Sequence, residues 1–265
     1  MKSARFARSA AIAVLAMLAS WLGIAVGAAG AAKAAEIKVL STVALKAALD
    51  EELLPQFAKA GENKVVIKYG AAAALKQQIE GGETFDVAIL TPAAVDDLIK
   101  QGKIVTGSRT NVARTGVGVA IRQGAVKPDI GTVDAFKRTL LDAKSIAYGD
   151  PALGGASSIY FAGVLQRLGI AEAVKGKTKL TAAGESAQPV AAGEAELGIG
   201  QISEIVPVRG AELLGPFPGE LQVYTAFTAG TAPTAKDAAA ANSLIKFLTT
   251  PAAAQVFKKR GLEPS

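Results

Sequence analysis

Two stretches of this chain end an apolar, strand-like run on glycine or polar residues just before a helix is expected to begin. Residues 149–158 read Gly-Asp-Pro-Ala-Leu-Gly-Gly-Ala-Ser-Ser, and residues 197–201 read Leu-Gly-Ile-Gly-Gln. Backbone N–H groups at the start of a helix have no intrahelical partner and lie at the positive end of the helix dipole, so they attract small anions. Two similar junctions lie near residues 41–44 and 70–74. Together they predict a site for a small anion, built from backbone N–H groups and neutral side chains.

Neutral side chains at these junctions are the candidate ligand contacts. Ser157 and Ser158 follow the glycine-rich turn, and their hydroxyls can donate to an anion as well as cap a helix. Gln201 ends a buried-type strand, where its carboxamide can donate to a carboxylate or an oxyanion. Ser41 and Thr42 either cap the helix that follows or contact the ligand, and both roles can coexist because the ligand would sit at the same helix start.

The composition limits the chemistry available to the chain, which contains no histidine and no cysteine. Their absence excludes the usual zinc, copper and haem sites, and it excludes Ser-His-Asp and Cys-His catalysis. We therefore expect neither a metal nor a cofactor. Any enzyme on this chain would depend on carboxylate, Lys, Tyr or Ser groups.

The first residues are typical of an export signal. Three basic residues precede an almost wholly apolar run over residues 10–30, and Ala32-Lys33-Ala34 fits an A-x-A cleavage site. The apolar run approaches the length of a membrane span, but its Ala and Gly content and the cleavage motif favour removal. We therefore predict a signal peptide over residues 1–34 and a periplasmic protein.

The signal also accounts for most of the net charge. The chain carries 29 basic and 23 acidic residues, a net charge of +6. Four of the basic residues and no acidic residue lie before residue 35, so the mature chain has 25 basic and 23 acidic residues, a net charge of +2. It has no basic stripe with interleaved aromatic residues, so binding to nucleic acid is not expected.

Strand-like and helix-like segments alternate along the mature chain, which is typical of an α/β fold with a parallel sheet. A helix over residues 44–60 has Leu45, Leu49, Leu53 and Phe57 at steps of four, so one apolar face should pack on the sheet. Further strands are predicted at residues 37–40, 65–67, 87–90, 146–148 and 197–201. Further helices are predicted at residues 72–80, from Pro92 with Thr91 as N-cap, and at 133–141, 157–168, 186–192, 236–248 and 251–259.

Two apolar runs, residues 116–121 and 221–227, divide this pattern and are interpreted as crossovers between two lobes. The simplest arrangement places residues 35–118 and 226–265 in lobe 1 and residues 119–225 in lobe 2. Ligands of open α/β sheets bind outside the carboxyl ends of the strands. The junctions described above should therefore meet in a cleft between the lobes.

The order and spacing of several segments resemble a known family. These segments are Val39–Leu45, Gly70–Gly82, Phe85–Ile89, Gly149–Pro151, Ile159–Tyr160, Gly193–Ile199 and Pro251–Phe257. Over essentially the whole mature chain, the pattern resembles the periplasmic molybdate-binding proteins of ABC transporters, which are type II solute-binding proteins. The resemblance implies two lobes that close on a ligand like a Venus flytrap and then dock on a permease in the cytoplasmic membrane. We expect the protein to be a monomer.

The chain departs from this family at positions that would touch the ligand. The resemblance places Ala44 and the run containing Ala71 and Ala72 where the molybdate-binding proteins have serines, and it places Gln201 where they have a tyrosine. In exchange, the two serines after the glycine-rich turn occupy a loop where the family usually has Ala-Gly. The chain is therefore identified as a divergent member whose ligand is a molybdate-like oxyanion or an organic acid.

A second hypothesis is an enzyme on the same scaffold, because the wider family resembles periplasmic isomerases of unsaturated tricarboxylic acids such as aconitate. Proton abstraction next to a carboxylate needs a base, and without histidine Glu204, Lys46 or Tyr160 would have to serve. Taken one by one, Glu204 and Lys46 are interpreted as solvated surface groups, and Tyr160, one turn inside its helix, as core packing.

Overall fold

A computed structural model describes residues 36–61 and 64–265 of the chain. The predicted signal peptide, residues 1–34, lies outside these residues. Among the residues described, no helix has both the length and the apolar character needed to span a bilayer. The predicted α/β class is confirmed, with helices packed on one mixed sheet.

The described strands form a single sheet. They are β1 Glu36–Thr42, β2 Lys64–Gly70, β3 Val87–Leu90, β4 Thr110–Arg122, β5 Ile146–Gly149, β6 Thr178–Thr181, β7 Leu197–Gln201, β8 Ala211–Pro216, β9 Tyr224–Thr231 and β10 Glu263–Pro264. The order is β2-β1-β3-β9-β4-β7-β5-β6, and β8 and β10 also pair with β4. Strand β1 is parallel to β2 and β3, and β5 is parallel to β6 and β7. Strands β4 and β9 are antiparallel to each other and to their other partners.

The prediction of a parallel sheet is therefore correct only for the outer strands. Strand β4 carries the chain across the sheet and β9 brings it back beside β4, so these two long strands pair antiparallel. They join a first half of the sheet, which contains β1, β2, β3 and β10, to a second half, which contains β5 to β8. The lobe boundaries predicted after residues 118 and 225 stay a prediction, because β4 and β9 continue across them.

The helices flank these strands. They are α1 Lys46–Ala48, α2 Leu54–Gly61, α3 Ala72–Glu80, α4 Pro92–Lys100, α5 Val133–Asp142, α6 Ala156–Arg167, α7 Ala171–Lys175, α8 Gln188–Ala191, α9 Ile202–Ile205, α10 Ala238–Leu248 and α11 Pro251–Lys259. Helices α3 and α11 and strands β3 and β7 have the bounds that the sequence predicts. Helix α8 begins later than predicted, and α7, α9, β6 and β8 were not predicted. The run at 221–227 contains the end of a 3-10 turn and the start of β9.

The first helical segment shows how its sequence pattern is accommodated. Leu45, Leu49, Leu53 and Phe57 are all buried, as the steps of four predict. Four residues overshoot one 3.6-residue turn by about 40°, so a regular α-helix would rotate this row away from the core. A π-helical turn at Leu49–Leu53, which is wider than an α-helical turn, links α1 to α2 and offsets the drift.

Each half of the sheet has its own hydrophobic core. In the first half, Phe57, Phe227 and Phe257 belong to one buried cluster, although they come from distant parts of the chain. In the second half, the rings of Phe136 and Phe217 lie 4.7 Å apart within another cluster. The two halves of the sheet are therefore packed by separate clusters, and the candidate site lies between these halves.

A buried carboxylate also ties the first half together. Asp86 accepts hydrogen bonds from the backbone N–H groups of Lys38, at 2.7 Å, and Lys236, at 2.9 Å. These bonds connect β1 with the segment that follows β9. They fix the first part of β1, the strand that ends at Thr42.

Candidate ligand-binding site

A cavity of about 30 Å³ lies between the two halves of the sheet. It brings together residues from loops that are far apart in sequence. Of the residues predicted to bind a ligand, its lining contains Thr42, Ala44, Ala71, Ala72, Ser157, Ser158 and Gln201. The other lining residues are Val43, Gly70, Thr91, Gly155, Ala156, Ala183, Gly184, Glu204, Thr225 and Phe227. We refer to it as the small cavity.

Ser41 and Thr42 have different surroundings. Ser41 is fully buried, its hydroxyl donates to the carbonyl of Thr42 at 3.3 Å, and it does not line the small cavity. Thr42 precedes the 3-10 turn Val43–Leu45, but its side chain makes no capping bond. Its buried Oγ1 has no hydrogen-bond partner. The capping interpretation is therefore wrong for Thr42, whose hydroxyl remains available to a ligand.

Helix α3 begins at the small cavity, which Ala71 and Ala72 line. Its N-cap is Ala71, which has no side-chain oxygen, and the first backbone bond of the helix runs from the Leu75 N–H to the Ala71 carbonyl. The N–H groups of residues 72–74 therefore lack the intrahelical partner that later residues have. Alanine side chains leave these N–H groups free of competing hydroxyls.

Helix α6 presents a second set of donors. Its first backbone hydrogen bond runs from the Ile159 N–H to the Gly155 carbonyl, so the N–H groups of residues 156–158 have no intrahelical partner. Ser157 and Ser158 are buried, and within the described part of the chain their hydroxyls make no hydrogen bond. A Cβ on Gly155 would lie 3.1 Å from the Ser158 hydroxyl, so glycine gives this side chain its room.

Gln201 and Glu204 also line the small cavity from the second half of the sheet. Gln201 ends β7 and is the N-cap of α9, in a capping-box arrangement with Glu204. The well-formed bond runs from the Gln201 N–H to Glu204 Oε2 at 3.2 Å. The buried Gln201 Oε1 has no partner that meets hydrogen-bond geometry.

The surface interpretation of Glu204 is wrong. Its carboxyl lines the small cavity, and burial raises its pKa from 4.5 to about 7, against the opposing effect of the Gln201 N–H bond. The sequence offered no sign of this, because α9 has only four residues and no periodic pattern. That short helix turns Glu204 back toward the end of β7.

The charged and aromatic candidates near the cleft lie elsewhere. Lys46 pairs with Asp50 at 2.7 Å and lies over the Tyr69 ring, outside the small cavity. Lys76 pairs with Glu80 at 2.7 Å. Tyr160 donates to the Leu221 carbonyl at 3.0 Å, so its interpretation as core packing is correct. No Lys or Arg among the described residues lines the small cavity.

A larger cavity, of about 550 Å³, adjoins the small one. The two share Val43, Ala183, Gly184 and Glu204 in their linings. The larger cavity is also lined by charged and polar side chains, namely Lys46, Asp50, Glu51, Tyr69, Glu185, Gln188 and Ser203. Glu204 is therefore the ionisable group that both cavities have in common.

Comparison with known proteins identifies the family to which the chain belongs. Residues 37–263 match the model of a family described as bacterial extracellular solute-binding proteins. The chain belongs to this family. It is thus a solute-binding protein, and the resemblance that the sequence indicated is confirmed.

Two relatives of this solute-binding protein differ from each other in function. It is 30% identical over 234 residues to an aconitate isomerase from a Pseudomonas species, and the alignment covers 86% of this chain and 87% of that protein. It is 32% identical over 237 residues to the molybdate-binding protein ModA of Azotobacter vinelandii, and this alignment covers 86% of this chain and 89% of that protein. The solved periplasmic molybdate-binding protein of Azotobacter vinelandii superimposes with a TM-score of 0.71 at 22% identity, over 85% of this chain and 98% of that chain. This likeness confirms the type II periplasmic-binding-protein fold.

Proposed function

We propose that the protein captures a small tetrahedral oxyanion of the molybdate class in the periplasm and delivers it to an ABC importer. The observation that carries the proposal is the small cavity, whose lining contains Ala71 and Ala72 at the start of α3 and Ala156 at the start of α6. The first backbone N–H groups of both helices have no intrahelical partner. Two buried side-chain atoms without partners, Thr42 Oγ1 and Gln201 Oε1, belong to the same lining. Buried polar groups without partners are uncommon in native proteins. The hydroxyl of Thr42 can donate to an anion, whereas Gln201 Oε1 is a carbonyl oxygen and would need a donor.

The size of the small cavity favours a compact anion. Its volume of about 30 Å³ accommodates roughly two or three water molecules. A tetrahedral oxyanion is close to this size, whereas a tricarboxylate is several times larger. The ModA relative supports the same class of ligand.

The predicted signal peptide and the extracellular family together support a periplasmic location. In this proposal the two halves of the sheet close on the anion, and the closed form docks on a permease in the cytoplasmic membrane. The mature protein acts as a monomer and needs neither a metal nor a cofactor. Binding energy comes from helix starts and neutral donors without a full counter-charge.

A thermal-shift screen of residues 35–265 tests the proposal. The panel contains molybdate, tungstate, sulfate, phosphate and a series of di- and tricarboxylates. A ligand at ~100-fold its dissociation constant stabilises the folded state by ~2.7 kcal/mol, which is easily measured. We expect the largest shift with a tetrahedral oxyanion, and a shift with carboxylates alone would refute the ligand class.

A matched pair of serine variants locates the site. Ser157→Ala removes a hydroxyl from the small cavity and should weaken oxyanion binding by ~1.5–3 kcal/mol, which is about 10- to 150-fold. Ser243→Ala removes an exposed hydroxyl on α10 and should leave the affinity unchanged. An unchanged affinity in Ser157→Ala would remove this residue from the site.

A second candidate function is isomerisation of an aconitate-like acid, which Glu204 and the isomerase relative favour. A carboxyl with a pKa near 7 suits a general base at neutral pH. It would take a proton from the carbon beside the double bond and return it at the other end of the allylic system. The larger cavity, which Glu204 also lines, has room for this substrate. Incubation with cis-aconitate should then yield the trans isomer, and no conversion at high protein concentration would exclude this function.

A further inference from the structure

Glu204 is the only ionisable side chain in the lining of the small cavity, as far as the described residues extend. Its carboxyl receives one hydrogen bond, from the Gln201 N–H at 3.2 Å. Glycines flank it on two sides, since a Cβ on Gly184 would lie 3.6 Å from Oε1 and a Cβ on Gly200 would lie 3.5 Å from Oε2. The carboxyl is thus packed beside the proposed anion position without a cationic partner.

The surrounding elements do not supply such a partner either. Helix α9 packs against β4, β7, β8 and the turn Val43–Leu45. The charged or titratable groups on these elements and around the larger cavity are Arg114, Arg122, Glu212, Lys46, Asp50, Glu51, Tyr69 and Glu185. Arg114 pairs with Glu263, Glu212 with Lys127 and Lys46 with Asp50. Within the described residues, no ion pair reaches Glu204.

This arrangement creates a conflict for a bound oxyanion. An ionised carboxylate can only accept hydrogen bonds, and a fully ionised oxyanion can also only accept them. Two such groups in one small cavity repel each other. A proton on Glu204 removes the repulsion and turns the carboxyl into a donor toward the anion.

We propose that Glu204 is a specificity-determining residue that takes up a proton when the oxyanion binds, so that the cavity captures the anion and a proton together. This inference rests on the proposed function and adds the protonation state that the site requires. The larger cavity gives Glu204 a second face, by which the proton arrives from solvent while the anion occupies the small cavity.

The direction of the pH dependence follows from the charges. Burial already brings the pKa of Glu204 to about 7 in the free protein, and a bound anion raises it further. Affinity is therefore fully present below about pH 7 and is lost as the pH rises above it. For an anion that carries no proton in this range, the loss should be about tenfold per pH unit.

Titration calorimetry with molybdate and with sulfate measures this directly. The affinity of the wild-type mature protein is determined from about pH 6 to about pH 9, in buffers that differ in ionisation enthalpy. At about pH 8 the heats should report uptake of nearly one proton for each anion bound. Trp21, the only tryptophan, precedes the predicted cleavage site, so calorimetry is preferred to tryptophan fluorescence.

Two variants assign the proton to its residue. Glu204→Gln keeps a donor N–H at every pH, so oxyanion binding should continue and its pH dependence should disappear. Glu185→Gln removes a carboxyl that lines only the larger cavity and should keep the wild-type pH dependence. Circular dichroism checks that each variant is folded.

The outcomes separate the two proposals. Binding that takes up no proton in the wild-type protein overturns the role of Glu204 and leaves anion capture intact. A pH dependence that persists in folded Glu204→Gln does the same. If neither oxyanion binds at any pH, the proposed function fails and the role of Glu204 fails with it. If Glu204→Gln does not fold, the proton uptake of the wild-type protein alone decides the question.

Discussion

Replacing Glu204 with glutamine should change the stability of the ligand-free protein in a pH-dependent manner. The folded state raises the pKa of this carboxyl from 4.5 to about 7, because burial disfavours the ionised form. The folded state therefore binds the proton more tightly than the unfolded state. This contribution to stability is fully present below about pH 4.5 and is lost as the pH rises through about 7.

The size of the effect follows from the same shift. Each pKa unit corresponds to about 1.36 kcal/mol, so ionised Glu204 lowers the free energy of unfolding by roughly 3 kcal/mol above pH 7. This is an upper value, since the side chain is partly exposed. For a chain of this length, 1 kcal/mol moves the melting temperature by about 2–4 °C. The melting temperature of Glu204→Gln minus that of the wild-type protein should therefore increase between about pH 4.5 and about pH 8, by at most roughly 6–12 °C.

Differential scanning calorimetry of the two proteins across this pH range is the assay. The difference between them cancels the titration of every other group. Glu185→Gln is the matched control for removing one acidic group near the larger cavity. A constant difference between Glu204→Gln and wild type, or an equal pH-dependent gain in Glu185→Gln, would refute a buried and destabilising carboxyl at position 204.

Three further substitutions test the site and its frame. Thr42→Val removes a buried hydroxyl without a partner, so it should raise the stability of the free protein by about 1 kcal/mol in thermal melts. The same variant should weaken oxyanion binding at least tenfold in calorimetry, and a weaker effect on binding would exclude contact with the ligand. Asp86→Ala leaves two backbone N–H groups unpaired and should cost about 2–4 kcal/mol in urea denaturation, and a loss below about 1 kcal/mol would show that water replaces the carboxylate. Gly198→Ala places a Cβ 2.6 Å from the Ser186 carbonyl oxygen, so it should lower the free energy of unfolding by about 1–3 kcal/mol in urea denaturation. The control is Gly163→Ala on α6, where a Cβ meets no atom within 4 Å; it should be neutral or stabilising in the same experiment.

The parts of the fold that the sequence predicted are those specified locally. Helix α3 lies between an alanine run and the pair Gly81-Gly82, and α11 starts at a Thr-Pro pair. Strand β7 is apolar over its whole length before it reaches Gln201. In each case, the residues that start or stop the element lie next to it in the chain, so its bounds can be read without knowledge of the tertiary structure.

The parts that it missed depend on long-range pairing. The antiparallel arrangement of β4 and β9 joins segments about a hundred residues apart, and no local pattern specifies it. Thr225 and Phe227 enter the small cavity only because of that pairing. Glu204 was misjudged for a related reason, since α9 is too short to show a period and gains its surroundings from β4 and β8.

The candidate site was predicted in outline, because helix starts that follow parallel strands meet at one edge of a sheet. Lys46 and Tyr160 could not be assigned this way. Each lies close to a junction in sequence, but its side chain is held by another partner, Asp50 for Lys46 and the Leu221 carbonyl for Tyr160. The binding role of the residues that line the small cavity remains a prediction.

The central claim is that backbone N–H groups at two helix starts hold a small oxyanion without a cationic partner. The most direct measurement is the change in backbone amide NMR shifts when molybdate is added to residues 35–265. We predict that the amide protons of residues 72–74 and 156–158 move furthest downfield, because they begin to donate to the anion. Saturable binding with its largest shifts around Lys46 and the larger cavity, and none at these two helix starts, would contradict the account.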